Sequence, residues 1–188
     1  SYLNEVIERR LGIPISLALV QMEVARRLDM PLDGISFPGH FLVRLPVDDG
    51  VLVMDPFNRG RPLDVDELRE RAQAHLGGRA PDDEVLSRIL NPASNRAILV
   101  RVLRNLHAVY HGHGDWERAT RSADRVLRLL PGDPEALRDR GAGYLQLGHV
   151  AGAREDLQRY LLLRPHAEDA ASIRLRLVET GRAPARLH

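Results

Sequence analysis

Residues 95–182 repeat themselves. HAVYHGHGDWERATRSADRVLRLLP and GAGYLQLGHVAGAREDLQRYLLLRP align at an offset of 34 residues, which sets Tyr110 on Tyr144, Gly114 on Gly148, Ala119 on Ala153, Leu127 on Leu161 and Pro131 on Pro165. A period of this length is too long for a heptad. It fits one supersecondary unit, a pair of antiparallel helices stacked on its neighbour. The small residues let the two helices approach closely, and the prolines end each unit. Residues 168–178 are expected to close the stack as a capping helix. Everything after Asn91-Pro92 therefore reads as helix alone.

Composition removes several kinds of chemistry. The 188 residues contain no cysteine, so disulfides, thiolate metal sites and thiol nucleophiles are excluded for this chain. All 27 basic residues are arginine, which excludes a Schiff-base lysine. A formal charge of +1 and an aromatic content of 4% supply neither the field nor the stacking platforms of a nucleic-acid binder. No apolar run approaches the roughly 18 residues of a membrane span, and no leader segment is visible, so a cytoplasmic protein is expected. The chain opens on Ser1 rather than methionine, which reads as a fragment.

The first 78 residues follow a different pattern. LNEVIERR and SLALVQMEVARRL read as helices around Gly12-Ile13-Pro14, with Pro14 in the first turn of the second, where its missing N–H costs nothing. Leu17, Val20, Val24 and Leu28, with Ala18 and Ala25, recur at three and four residues and predict that helix's apolar stripe. From Pro31 the period changes. Ile35-Ser36-Phe37, His40 to Leu45 and Val51 to Met54 read as short strands, and Asp64 to Leu76 as a short helix. Glu5 with Arg9 and Glu23 with Arg27 are spaced as ion pairs on helix surfaces. The expected organisation is an α+β domain over 1–78, a linker over 79–94, and two helix-pair repeats plus a cap over 95–182.

His40 opens one strand of this domain and Asp55 closes the next. If Pro46 to Asp49 form a four-residue loop, the two face each other. If the turn is Asp48-Asp49 alone, they are diagonal neighbours on one face. If Asp49-Gly50 makes the turn, Arg44 opposes Asp55 instead. Pro46 opposes that last register, because proline is poorly tolerated inside a paired strand. A registration that brings His40 to Asp55 is therefore favoured. The bland alternative is a turn-starting Asp55-Pro56 and a half-buried histidine.

GIPISLALVQMEVARRL, FPGHFLVR and DPFN, in this order and spacing, resemble the transglutaminase-like superfamily. More narrowly they resemble its bacterial SirB-one branch, in which such a domain precedes tetratricopeptide-like helices. The 34-residue period is the signature of those repeats. The resemblance covers essentially the whole chain. It implies a papain-like arrangement, a core helix on a small antiparallel sheet, and a Cys–His–Asp triad with cysteine at the core-helix N-terminus. By that pattern His40 corresponds to the histidine and Asp55 to the aspartate. The cysteine is missing. Ser16 is the nearest occupant of the nucleophile region, whereas an ungapped match of the helix puts Pro14 there. A helix N-terminus can stabilise an oxyanion, but a serine hydroxyl there needs His40 as base and Asp55 to orient it.

The repeats point to a protein or peptide partner, through the concave face built by the first helix of each pair. Arg101, Arg104, Asn105, Ala108 and His111 occupy that helix in the first repeat, and Arg138, Asp139, Ala142 and Leu145 in the second. Arg101, Arg104 and Arg138 are the groups that can grip a carboxylate bidentately. The repeat family's best-known carboxylate clamp also uses lysines, which this chain lacks. His107, His111 and His113 form an incomplete metal set, without the glutamate of an HExxH pattern, so neither a metal nor a cofactor is expected. The expected function is that of a catalytically degenerate, transglutaminase-like binding or regulatory protein. The alternatives are a hydrolase or transferase using Ser16, His40 and Asp55, and a fragment whose activity lies elsewhere in a longer protein.

Overall fold

A computed structural model describes residues 3–182. They divide into two compact units, one up to Val102 and one from Leu103 onward.

The first unit is a four-stranded antiparallel sheet with helices on both faces. Helices α1 (Leu3–Arg9) and α2 (Pro14–Arg27) come first, followed by strands β1 (Asp33–Ile35), β2 (Leu42–Val47), β3 (Gly50–Asp55) and β4 (Arg61–Leu63), which pair in sequence order. A 3-10 turn, Pro56–Asn58, joins β3 to β4. Helices α3 (Val65–Gln73) and α4 (Asp83–Ile89) follow, and α5 (Asn95–Gly112) carries the chain into the second unit. Val47 pairs with Gly50 and Val43 with Met54, so Asp48 and Asp49 alone form the hairpin turn. This is the register that leaves His40 diagonal to Asp55. Pro46 pairs with Val51 but lies beyond the reach of β1, whose last partner on β2 is Arg44. It is therefore an edge position, where a missing N–H is harmless.

Successive strand residues feed opposite faces, as a pleat requires. Ile35, Leu42, Val53 and Leu63 pack with Leu68 and Ala72 of α3 and Leu86 of α4. Phe41 and Val43 pack with Ile15 and Ala18 of α2 and with Ile98 of α5. The stretch 79–94, expected as a linker, thus holds a helix begun by Asp82, whose side chain accepts from the Val85 N–H. Its buried Leu86 belongs to the first core.

The stripe expected on α2 holds for Ala18 and Ala25 and fails for its larger C-terminal members. Val24 and Leu28 are 51% and 65% exposed, while the buried face runs through Ile15, Ala18 and Ala25. Alanine lets the helix sit close to the sheet, and the larger residues lean outward. The exposed pairs Glu5–Arg9 and Glu23–Arg27 form at 2.7 and 2.8 Å, and such surface pairs add little to stability.

The second unit continues from α5 through α6 (Trp116–Leu129), α7 (Pro134–Gln146), α8 (Val150–Leu163) and α9 (Ala170–Arg182). Helices α6 and α8 begin and end 34 residues apart, reproducing the sequence period. Gly114 and Gly148 close the preceding helices at φ of +71° and +78°, a conformation only glycine adopts freely. Between α6 and α7 the contact is close enough that a Cβ on Gly143 would fall 2.0 Å from Thr120 Oγ1. One ion cluster ties three helices together. Arg140 of α7 donates two hydrogen bonds to the buried Asp156 of α8, at 2.7 and 2.8 Å, and one to Asp124 of α6 at 2.7 Å.

Removing one partner of a buried pair strands the other charge, at a cost of about 3 kcal/mol or more. Arg140→Ala is expected to lower the unfolding free energy of the repeat unit by that amount in urea titrations. Combining it with Asp156→Asn should return part of the loss, a positive coupling that a double-mutant cycle reads directly.

Candidate functional site

β2 is preceded by the bend Phe37-Pro38-Gly39-His40. Gly39 takes a φ of +69°, and the His75 ring lies where its Cβ would be. The left-handed conformation favours glycine here, and any side chain would also have to displace the exposed His75 ring. The bend delivers His40 to the end of β3, where its Nε2 lies 2.9 Å from Asp55 Oδ1. Phe57 meets the imidazole edge-on at 6.2 Å between ring centres.

Asp55 has no exposed surface. Its carboxylate accepts five hydrogen bonds: from His40 Nε2, from the backbone N–H groups of Phe57 and Asn58, from Asn58 Nδ2 at 2.6 Å and from Arg71 at 2.9 Å. Burial alone would raise the Asp55 carboxyl. The hydrogen bonds from His40, Arg71 and Asn58 outweigh it and hold the group well below the usual carboxylate range. Because an ionised carboxylate can only accept, Nε2 of His40 is the protonated nitrogen facing it, which leaves Nδ1 for any further partner. Arg71 also donates to Glu67 at 2.7 Å, and Glu67 in turn pairs with Arg61. Asp55, Arg71, Glu67 and Arg61 therefore alternate in sign and balance, so the aspartate's charge is not reserved for His40.

Ser16 stands apart from this network. It is 4% exposed. Its Oγ accepts from the Ile13 N–H at 3.0 Å and donates to the Ile13 carbonyl at 2.9 Å, closing the start of α2 on itself. A Cβ on Gly12 would lie 2.7 Å from that oxygen. Among the described residues no hydrogen bond joins Ser16 to His40. His40 and Asp55 are brought together as expected, and the serine is engaged elsewhere.

Asn58 and Arg71 join the site without having been expected from local sequence. Asn58 carries a signal, since an asparagine three residues after the aspartate of an Asp-Pro turn can fold back on that aspartate. Arg71 had none beyond its i,i+4 spacing from Glu67, because its partner lies across the tertiary fold.

The residues expected along the repeat groove separate into groups. Arg101 is in the first unit and donates to the His40 carbonyl at 3.4 Å, so it buttresses the histidine bend. Arg104 is paired with Asp133 at 2.7 Å, and Asn105 is half-buried outside the groove. His111, Arg138 and Leu145 do line one cavity of about 510 Å³, together with Ala108 and Ala142. Arg138 is already committed there. It donates to Asp139 at 3.0 and 3.1 Å and to Asp169 at 3.4 Å. His107 Nδ1 donates to the Ala119 carbonyl at 3.1 Å, and its Nε2 lies 3.5 Å from Asp139, so the histidine is engaged by two oxygens.

No described helix is long and apolar enough to cross a membrane. A family model described as the transglutaminase-like superfamily matches residues 1–104, and one for tetratricopeptide repeats matches 106–178. A UPF0162 protein of Xylella fastidiosa strain Temecula1 is 65% identical over all 188 residues, which cover 67% of that protein. The UPF0162 protein of Pseudomonas aeruginosa is 40% identical over 174 residues, covering 93% of this chain and 62% of its own length. SirB1 of Salmonella typhimurium is 28% identical over 177 residues, 94% of this chain and 64% of that protein. A solved repeat domain from a Plasmodium falciparum FK506-binding protein matches 61% of this chain and 74% of its own, at a TM-score of 0.45 and 21% identity, a likeness that adds nothing to the assignment. The chain belongs to the transglutaminase-like superfamily, in the UPF0162 and SirB-type family in which tetratricopeptide repeats follow the transglutaminase-like region.

Proposed function

We propose that this protein is a cytoplasmic binding or regulatory module that keeps a triad-like scaffold without its chemistry and acts through protein contacts. The observation that carries this reading is the state of Ser16. Its hydroxyl is buried and donates its only proton to the Ile13 carbonyl, so a nucleophilic role requires that hydrogen bond to be given up first. The charge balance around Asp55 supports the same reading. A carboxylate already paired with Arg71 does less to stabilise an imidazolium than one facing histidine alone. The family's repeats, which serve protein–protein contacts in general, support a protein partner.

A fluorophosphonate probe tests the reading against a Ser16, His40 and Asp55 hydrolase. The folded wild type is expected to remain unlabelled. Labelling of the wild type that disappears in both Ser16→Ala and His40→Ala would establish the hydrolase and overturn the proposal.

In a non-catalytic protein Asp55 is kept for what it holds together. A carboxyl depressed in the folded state contributes stability that is fully present above its unfolded value of about 4 and is lost as pH falls through the folded value. Asp55→Asn is accordingly expected to cost about 3 kcal/mol at neutral pH. The gap between wild type and variant should narrow as urea titrations move toward about pH 3. A gap that stays constant with pH would show that the charge of Asp55 is not what stabilises the bend.

A further inference from the structure

The cavity lined by His111, Arg138 and Leu145 carries more charge than it leaves available. Its apolar wall comprises Ala108, Ala142, Leu145, Leu157 and Ile173. Its volume of about 510 Å³ is within the range of sites that enclose a few side chains. Three of its charged residues are consumed internally, because Arg138 lies between Asp139 and Asp169, and Asp169 also accepts from the Tyr160 hydroxyl at 2.5 Å. A carboxylate brought to Arg138 would meet two aspartates already on the same guanidinium, and like charges at that separation repel. The remaining charged wall group is Arg176 of α9. It is exposed, and the described residues provide it with neither an ion pair nor a hydrogen bond. His111 stands on the same wall with its ring edge-on to Trp116 at 4.9 Å, leaving its nitrogens without hydrogen bonds among the described residues.

Resting on the proposal that the repeats bind a protein partner, we infer that this groove takes an internal peptide segment, an apolar anchor side chain beside an acidic one. The anchor fills the space over Ala108 and Ala142, and the acidic side chain pairs with Arg176. Arg138, already shared by Asp139 and Asp169, is not offered as a clamp for a chain's terminal carboxylate. The closing helix of the repeat stack thereby becomes a specificity element, since it contributes both Arg176 and Ile173. Its exposed arginine supplies the complementary charge that selects the partner and fixes its register.

The test uses the full chain and short random peptides on beads, synthesised once with free C-terminal carboxylates and once as C-terminal amides. The wild type is expected to capture the same sequences from both sets, enriched in a Leu, Met or Phe close to an Asp or Glu. Arg176→Glu should weaken these peptides about tenfold or more, and Arg176→Gln should fall between. Both substitutions sit at an exposed, unpaired side chain and should leave the thermal midpoint unchanged. Capture confined to the free acids would overturn this inference and leave the partner-binding function standing. So would capture of amides that Arg176→Glu does not weaken. No capture from either set would overturn both.

Discussion

A carboxylate with no exposed surface has to be surrounded by donors, and that requirement shapes the first unit. Asp55 ends β3, and its five hydrogen bonds come from four directions in the chain: the histidine bend before β2, the backbone of the 3-10 turn, the Asn58 side chain and α3. Each donor is positioned by an element that has its own reason to form. Gly39 lets the bend turn, Pro56 starts the 3-10 turn, and Asp64 caps α3 by accepting from the Glu67 N–H. The aspartate therefore acts as a tie between the sheet and the helix that covers one of its faces. Removing it would loosen the bend, the turn and α3 together.

The same saturation bears on what the His40–Asp55 pair can do. A histidine oriented by a buried aspartate is the part of a triad that demands the most of a fold, and it is intact here. A nucleophile demands less structure but must be free. Ser16 satisfies the first turn of α2 with its only proton, and Arg71 shares the carboxylate that would otherwise support His40. Absence of cysteine from the sequence leaves that serine as the hydroxyl available at the helix start. Under the function proposed above, the dyad is a structural device whose cost in buried charge is met by hydrogen bonds.

Local patterns in the chain are enough to find three of the four strands, the repeat and the pair His40 and Asp55, because each depends on residues close in sequence or on a fixed period, whereas β4, a three-residue strand carrying Arg61 and Pro62, has no such pattern. The hairpin register needed one further fact, that β1 is too short to reach Pro46, and only tertiary structure supplies it. On α2 the expected stripe is only partly right for a similar reason, since its Ala18 and Ala25 are buried and its Val24 and Leu28 are exposed. Hydrophobic periodicity weighs Val24 and Leu28 above Ala18, whereas the sheet selects for closeness and so for alanine. Asp83–Ile89 was hidden by its polar flanks, although Asp82 followed by acidic residues is a legible helix start. Arg101 shows the limit of reading by repeat position. Its place on α5 suggested the groove, but the division between units falls one residue after it.

Arginine bears every fixed positive side-chain charge in this chain, and the structure uses its planar fork in the same way several times. Arg71 spans Asp55 and Glu67, Arg140 spans Asp124 and Asp156, and Arg138 spans Asp139 and Asp169. In each case a guanidinium holds two acids from different parts of the chain, which a point-charge ammonium does less well. A bridging arginine of this kind is spent on the fold. Its charge is already balanced, so it attracts a further carboxylate less than an unpaired arginine does. The functional positive charge of such a protein is therefore better sought among arginines that bridge nothing. Sequence position alone cannot separate the two classes, because Arg138 and Arg176 both lie on helices that line the groove. Their partners make the distinction.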